Sequence, residues 1–152
     1  MADAYVTGLR MLARRELSEA QVRQRLTRKQ FEPDEIDAAV ERLQTDRALD
    51  DRRTALACAR TEAHVKRRGR QRVLRRVESL GIDRDIARTA VAEVFADVDE
   101  DAAIENAIDR RLRGSDGRPT ADDLRRVKQY LLRQGFDAGP VNTAIRNRSL
   151  SD

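Results

Sequence analysis

Three stretches of the sequence share one pattern: Leu26-Thr27-Arg28-Lys29-Gln30-Phe31, Val77-Glu78-Ser79-Leu80-Gly81-Ile82 and Leu131-Leu132-Arg133-Gln134-Gly135-Phe136. In each, an apolar residue is followed five positions later by a bulky apolar one, then by a short turn and a new amphipathic run. Those runs are Ile36/Val40/Leu43, Ile86/Ala90/Val94 and Val141/Ile145. The anchors Phe31, Ile82 and Phe136 lie 51 and 54 residues apart. A spacing near 50 holds three helices of ordinary length with their turns, so the pattern is that of an internal repeat. Gly81 and Gly135 stand where a left-handed residue closes a helix, and Gln30 is their counterpart in the first stretch.

Working outward, each repeat supplies its own helix signals. Tyr5, Leu9 and Leu12 form one apolar stripe at i, i+4, i+7. Ser18 and Gln21 make a capping box, with Leu17 and Val22 placed for a hydrophobic staple. Pro33 suits the first position of a third helix, where its missing N–H costs nothing. Asp50 or Asp51 can cap a fourth, Ala-rich helix, which Gly69 interrupts. Val73, Leu74, Val77 and Leu80 carry a fifth, and Asp83 caps a sixth. Ile104, Ile108 and Leu112 share one face of a seventh helix. A Gly/Pro loop from Gly114 to Pro119 follows, then Thr120 with Asp123 opens an eighth and Pro140 a ninth.

No segment alternates with period two, so no strand is expected. The reading is an all-α chain of nine helices in three tandem three-helix repeats, residues 1–49, 50–97 and 98–152, packed in series. Aromatic residues are only 3% of the chain, with no Trp. That shortage suits several small cores better than one large one.

Composition excludes much. No apolar run approaches the ~18 residues of a membrane span, and the N-terminal residues lack the apolar core of a signal peptide. The single Cys58 has no internal disulfide partner and fits a reducing compartment. The one histidine, His64, reads as a partly exposed helix position rather than a catalytic base. One Cys and one His cannot make a zinc site without distant carboxylates. Phosphate-binding glycine motifs are missing, and the paired acids Asp50/Asp51 and Asp122/Asp123 sit at helix starts, where the macrodipole favours them. No catalytic site, metal or cofactor is expected.

Net charge, +4, describes the chain poorly. Residues 1–30 carry +4, 31–51 carry −6, 52–76 carry +9, 77–109 carry −8 and 110–152 carry +5. Of the 31 cationic residues only three are Lys, and Arg forks onto phosphate and carboxylate where Lys does not. The strongest chemical signal is the run Lys66, Arg67, Arg68, Arg70, Arg72, Arg75 and Arg76, seven cations in eleven residues around a helix–helix turn. A charge run is usually a solvated face, and some of these arginines could neutralise the acidic block at 83–109. Its density nonetheless favours an anionic partner, either phosphate or an acidic protein surface. Without interleaved aromatics it is not a base-stacking platform.

The order of these elements resembles a known family. It runs through the Ser18-Glu19 helix with Val22 and Leu26, then Phe31-Glu32-Pro33-Asp34-Glu35-Ile36, then Leu49-Asp50-Asp51. A helix from Gly69 through Val73 and Val77 to Ser79-Leu80-Gly81-Ile82 follows, and the chain closes with Tyr130-Leu131-Leu132-Arg133-Gln134-Gly135-Phe136. Order and spacing together resemble the RecX family of regulatory proteins over almost the whole chain.

The resemblance implies an elongated, curved array of three-helix repeats. It also implies a cytoplasmic protein, without enzymatic activity, that binds the RecA recombinase filament on DNA; with no apolar stripe in the sequence to favour a dimer, a monomer is expected. Such a protein inhibits the recombinase's ATP hydrolysis and strand exchange, and so modulates recombination and DNA repair. The basic run would then contact the recombinase or DNA phosphates. The competing reading is a helix-turn-helix-like DNA-binding protein. Against it, the helix after Gly69 offers Gln71 but is otherwise dominated by Arg, which favours phosphate contact over base readout.

Overall fold

A computed structural model describes residues 2–114 and 117–150. These residues are all-helical, with no strand among them: α1 (Ala4–Arg14), α2 (Glu19–Arg28), α3 (Pro33–Thr45), α4 (Asp51–Arg60), α5 (Arg70–Glu78), α6 (Arg84–Phe95), α7 (Glu100–Leu112), α8 (Ala121–Arg133) and α9 (Ala138–Leu150). One wide π-turn, Thr61–Val65, continues α4. The expected loop at 114–119 falls partly on residues 115 and 116, which lie outside the described residues.

The six-residue pattern at the helix ends is a Schellman closure. Gln30 (φ 69°), Gly81 (φ 80°) and Gly135 (φ 97°) are all left-handed. The Gln30 N–H donates to the Thr27 carbonyl (2.9 Å) and the Phe31 N–H reaches back to the Leu26 carbonyl (3.3 Å). Gly135 and Phe136 repeat both bonds, to Leu132 (3.1 Å) and Leu131 (3.2 Å). At Phe31 and Phe136 the apolar residue five positions before the anchor is thus the one whose carbonyl the anchor's N–H closes upon, while in the middle stretch the Gly81 N–H donates to the Glu78 carbonyl (3.0 Å). A fourth closure, at Leu43 to Ala48 with Arg47 left-handed (φ 59°), ends α3.

Helix starts follow the sequence with small corrections. Ser18 and Thr120 make capping boxes with Gln21 and Asp123. Pro33 is the first residue of α3. Asp50 caps α4, its carboxylate accepting from the Arg53 N–H (3.1 Å). Asp51 instead accepts from the Glu19 N–H at the start of α2 (2.8 Å). Pro140 does not open α9: the helix starts at Ala138, and Pro140 sits inside its first turn, where a helix still needs no donor from it.

The chain divides into two compact units, residues 1–58 with 76–90, and residues 59–75 with 91–152. In the first, Leu17, Val22, Leu26, Val40 and Leu43 form a fully buried core, flanked by Leu9, Leu12 and Phe31. Glu16 and Leu17 there receive the start of α4. The Thr54 hydroxyl donates to the Glu16 carboxylate (2.9 Å), as does the Arg53 guanidinium (2.9 Å), and the Ser18 hydroxyl donates to the Leu80 carbonyl. In the second unit Ile104, Ile108, Val127, Leu131, Phe136 and Val141 form the core. Arg148 on α9 spans Glu105 and Asp109 on α7, 2.6 Å from each.

Ser18, Gly69 and Thr120 are spaced 51 residues apart and each precedes the second helix of its repeat. Ser18 and Thr120 cap with a side-chain oxygen, which Gly69 lacks. Its N–H donates instead to the Gln134 carbonyl (2.8 Å), and the Gln71 N–H, an orphan of the first turn of α5, donates to the Gly135 carbonyl (3.1 Å). The C-terminal end of α8 thereby caps the N-terminal end of α5, with complementary dipole ends facing each other. A Cβ on Gly69 would collide with the backbone of Gly135 and Phe136, and one on Gly135 with the backbone of Arg72.

Backbone cannot yield as a side-chain tip can, so Gly69→Ala is expected to destabilise the protein by about 3 kcal/mol or more. Gly8→Ala, which meets only the Leu43 Cδ1 tip at 2.8 Å, should cost far less. Thermal unfolding of the two variants side by side, read by circular dichroism, checks this: equal melting temperatures would contradict the backbone seam.

Candidate interface at the basic turn

The π-turn gives the basic run its shape. After α4 the chain widens through Thr61–Val65, reaches Lys66, passes through Arg67 in the left-handed region (φ 56°) and enters α5 beyond Gly69. Glu62 sits under this turn with its side chain only 3% exposed. Its carboxylate accepts from the Lys66 ammonium (2.8 Å) and from the Arg68 guanidinium, while its backbone carbonyl accepts from the Arg68 N–H (3.0 Å). Burial pushes the Glu62 carboxyl up, but the hydrogen bonds and charges of Lys66 and Arg68 outweigh it and hold the group below the usual glutamate range. Glu62 is the one acidic residue in the +9 block, and it lies at the centre of that charge.

The seven cations singled out in the sequence therefore separate. Lys66 and Arg68 are bound to Glu62. Arg70 stands 3.6 Å from Glu100 and lies over the Phe95 ring, 5.4 Å from its centroid. Arg72 donates to the Gln134 side-chain oxygen (3.3 Å), and Arg76 to the Ser79 hydroxyl (3.2 Å). Arg67 and Arg75 are exposed and have no side-chain partner among the described residues. Through Glu100, Arg70 pairs with the acidic block at 83–109.

A groove of about 330 Å³ lies beside the turn, lined by His64, Arg67 and Arg68 from one side and Asn106 and Arg110 from α7, with Phe95 and Phe136 below. Arg110 is exposed and likewise unpartnered among the described residues. No local signal groups it with residues more than 40 positions earlier in the chain. The groove offers cations to an anion, and its one histidine, His64, is exposed. No cluster of three or more metal-binding side chains occurs among the described residues. None of their helices is long and apolar enough to cross a membrane.

Fold and interface together define an all-α protein of three-helix segments carrying a braced basic turn. A family model described as the first three-helix domain of RecX matches residues 4–43. The chain is 35% identical over 136 residues to the regulatory protein RecX of Syntrophotalea carbinolica, covering 88% of each chain. It is 33% identical over 141 residues to that of Trichlorobacter lovleyi, covering 89% of this chain and 88% of the relative. Among solved structures, RecX from Lactobacillus salivarius superposes with a TM-score of 0.80 at 20% identity, covering 97% of this chain and 95% of that one, a likeness of fold. The chain belongs to the RecX family of regulatory proteins.

Because the folded-state carboxyl of Glu62 titrates below its unfolded value, the stability it contributes is present at neutral pH and is lost as pH falls through the lowered value. Glu62→Gln is expected to cost about 1–3 kcal/mol at pH 7. The gap to the parent should close as pH drops through the carboxylate range. Urea unfolding at pH 7 and at pH 3 to 4 measures it, and a gap independent of pH would contradict the ionised pair.

Proposed function

We propose that this protein binds the RecA recombinase filament on DNA and inhibits its ATP hydrolysis and strand exchange. Membership of the RecX family carries the reading. The chemistry of the basic turn supports it. Arg67, Arg75 and Arg110 are exposed cations without side-chain partners among the described residues, suited to acidic recombinase side chains or to DNA phosphates. Lys66, Arg68, Arg70, Arg72 and Arg76 each have a protein partner, so they act as a braced positive field that keeps the free cations extended. The protein acts without chemistry of its own, as a bound obstacle in the cytoplasm.

Arg67 offers a discriminating variant. A non-glycine residue in the left-handed region costs roughly 1–2 kcal/mol. Arg67→Gly should therefore keep or raise the melting temperature while removing a free cation. With RecA hydrolysing ATP on single-stranded DNA, the parent protein is expected to lower the rate progressively with dose. Arg67→Gly combined with Arg110→Ala should need at least several-fold more protein for the same effect. No inhibition by the parent at several-fold excess over filament-bound subunits would contradict the proposal. Tight, sequence-dependent duplex binding without recombinase would favour a helix-turn-helix-like DNA binder instead.

A further inference from the structure

A second basic surface lies in the first compact unit, where the exposed side of α1 meets the C-terminal end of α2. A groove of about 900 Å³ runs there. Six cations line it: Arg10, Arg14 and Arg15 from α1 and its end, and Arg25, Arg28 and Lys29 from α2 and its closing turn. None of the six side chains is paired with a carboxylate among the described residues, in contrast to the basic turn, where most cations are held. The groove contains no acidic residue, and its lining surface is mainly apolar, with Met11 and Phe31 below the cations. Both are half-buried and pack on the core behind them.

A phosphodiester rail needs cations on an open surface, and base stacking needs an exposed ring. Here the cations ring an apolar depression, and the Phe31 ring is committed to the core through the Schellman closure that places it. A partner must therefore bring negative charge to the rim and an apolar side chain to the floor. We propose that this groove docks an acidic peptide segment anchored by a leucine or phenylalanine, with carboxylates paired to the six cations and the apolar anchor set against Met11 and Phe31. Charge complementarity supplies the attraction, and burial of the anchor supplies the specificity. The proposal stands whether or not the recombinase is the partner.

The test uses the full chain and a fluorescein-labelled synthetic peptide of alternating Asp and Glu, interrupted by one Leu and one Phe four positions apart. It is read by fluorescence anisotropy at low and at physiological salt. Saturable binding is expected, weakening as salt rises. Arg14→Glu with Arg28→Glu should weaken it at least about tenfold at an unchanged melting temperature, with Arg10→Glu with Lys29→Glu as a second pair should the first not fold. Replacing both peptide anchors by Ser should weaken binding at least about fivefold, while Arg75→Glu should leave it unchanged.

Three results would overturn the proposal. One is no saturable peptide binding at low salt. Another is equal affinity for the anchorless peptide, which reduces the groove to a diffuse positive field. The third is a single-stranded oligonucleotide of matched charge that binds more tightly than the peptide and is lost with the same pair of substitutions, which makes the groove a nucleic-acid surface.

Discussion

The N-terminus of α5 is capped by main chain rather than by a side chain, and the second compact unit is organised around that substitution. In the other two repeats a hydroxyl, Ser18 or Thr120, accepts from the first turn of the helix it precedes. At Gly69 the space a hydroxyl would fill holds Gly135 and Phe136, whose closing turn offers the carbonyls of Gln134 and Gly135 to the N–H groups of Gly69 and Gln71. Two glycines make this possible for different reasons. Gly69 is needed for close approach, and Gly135 for close approach and for its left-handed backbone (φ 97°). One helix end thus supplies what another lacks, and the same turn sets Phe136 into the core.

That seam fixes the turn before α5, and Glu62 fixes its charge. A buried carboxylate is costly unless fully paired, and Glu62 is paired by two cations of the run it underlies. The consequence is a division of labour among like residues. Five of the seven cations are structural braces with partners, while Arg67, held in a left-handed conformation, and Arg75 face water. The left-handed Arg67 backbone lets the Arg68 N–H close on the Glu62 carbonyl (3.0 Å), so its local cost is offset by ending the turn, as at Gln30 and Arg47.

How much of this was legible in the sequence follows from the range of the interactions. Capping boxes, Pro33, the left-handed glycines and the five-residue apolar spacing are local devices, written within six residues, and they defined the helices and the repeat. Asp50 and Asp51 could not be told apart because the choice depends on Glu19, more than 30 residues away. The sequence showed that Gly69 breaks a helix but not that Gly135 lies against it, since nothing nearby encodes a contact across more than 60 positions. The basic run was visible as charge density, yet its division into paired and free members depends on Glu62, Glu100 and Gln134. The groove of α1 and α2 was hidden for a related reason. Its six cations appeared only as a modest +4 over residues 1–30, and their convergence over Met11 and Phe31 needs two helices folded together.

The seam between Gly69 and Gly135 is the feature on which the basic turn depends, and residue-resolved hydrogen exchange by NMR reports on it directly. If the carbonyls of Gln134 and Gly135 cap α5, the amides of Gly69 and Gln71 open only when α8 does, with opening free energies within about 1 kcal/mol of the core amide of Leu131. Exchange of Gly69 and Gln71 at the rate of exposed amides, with Leu131 still protected, would contradict the account.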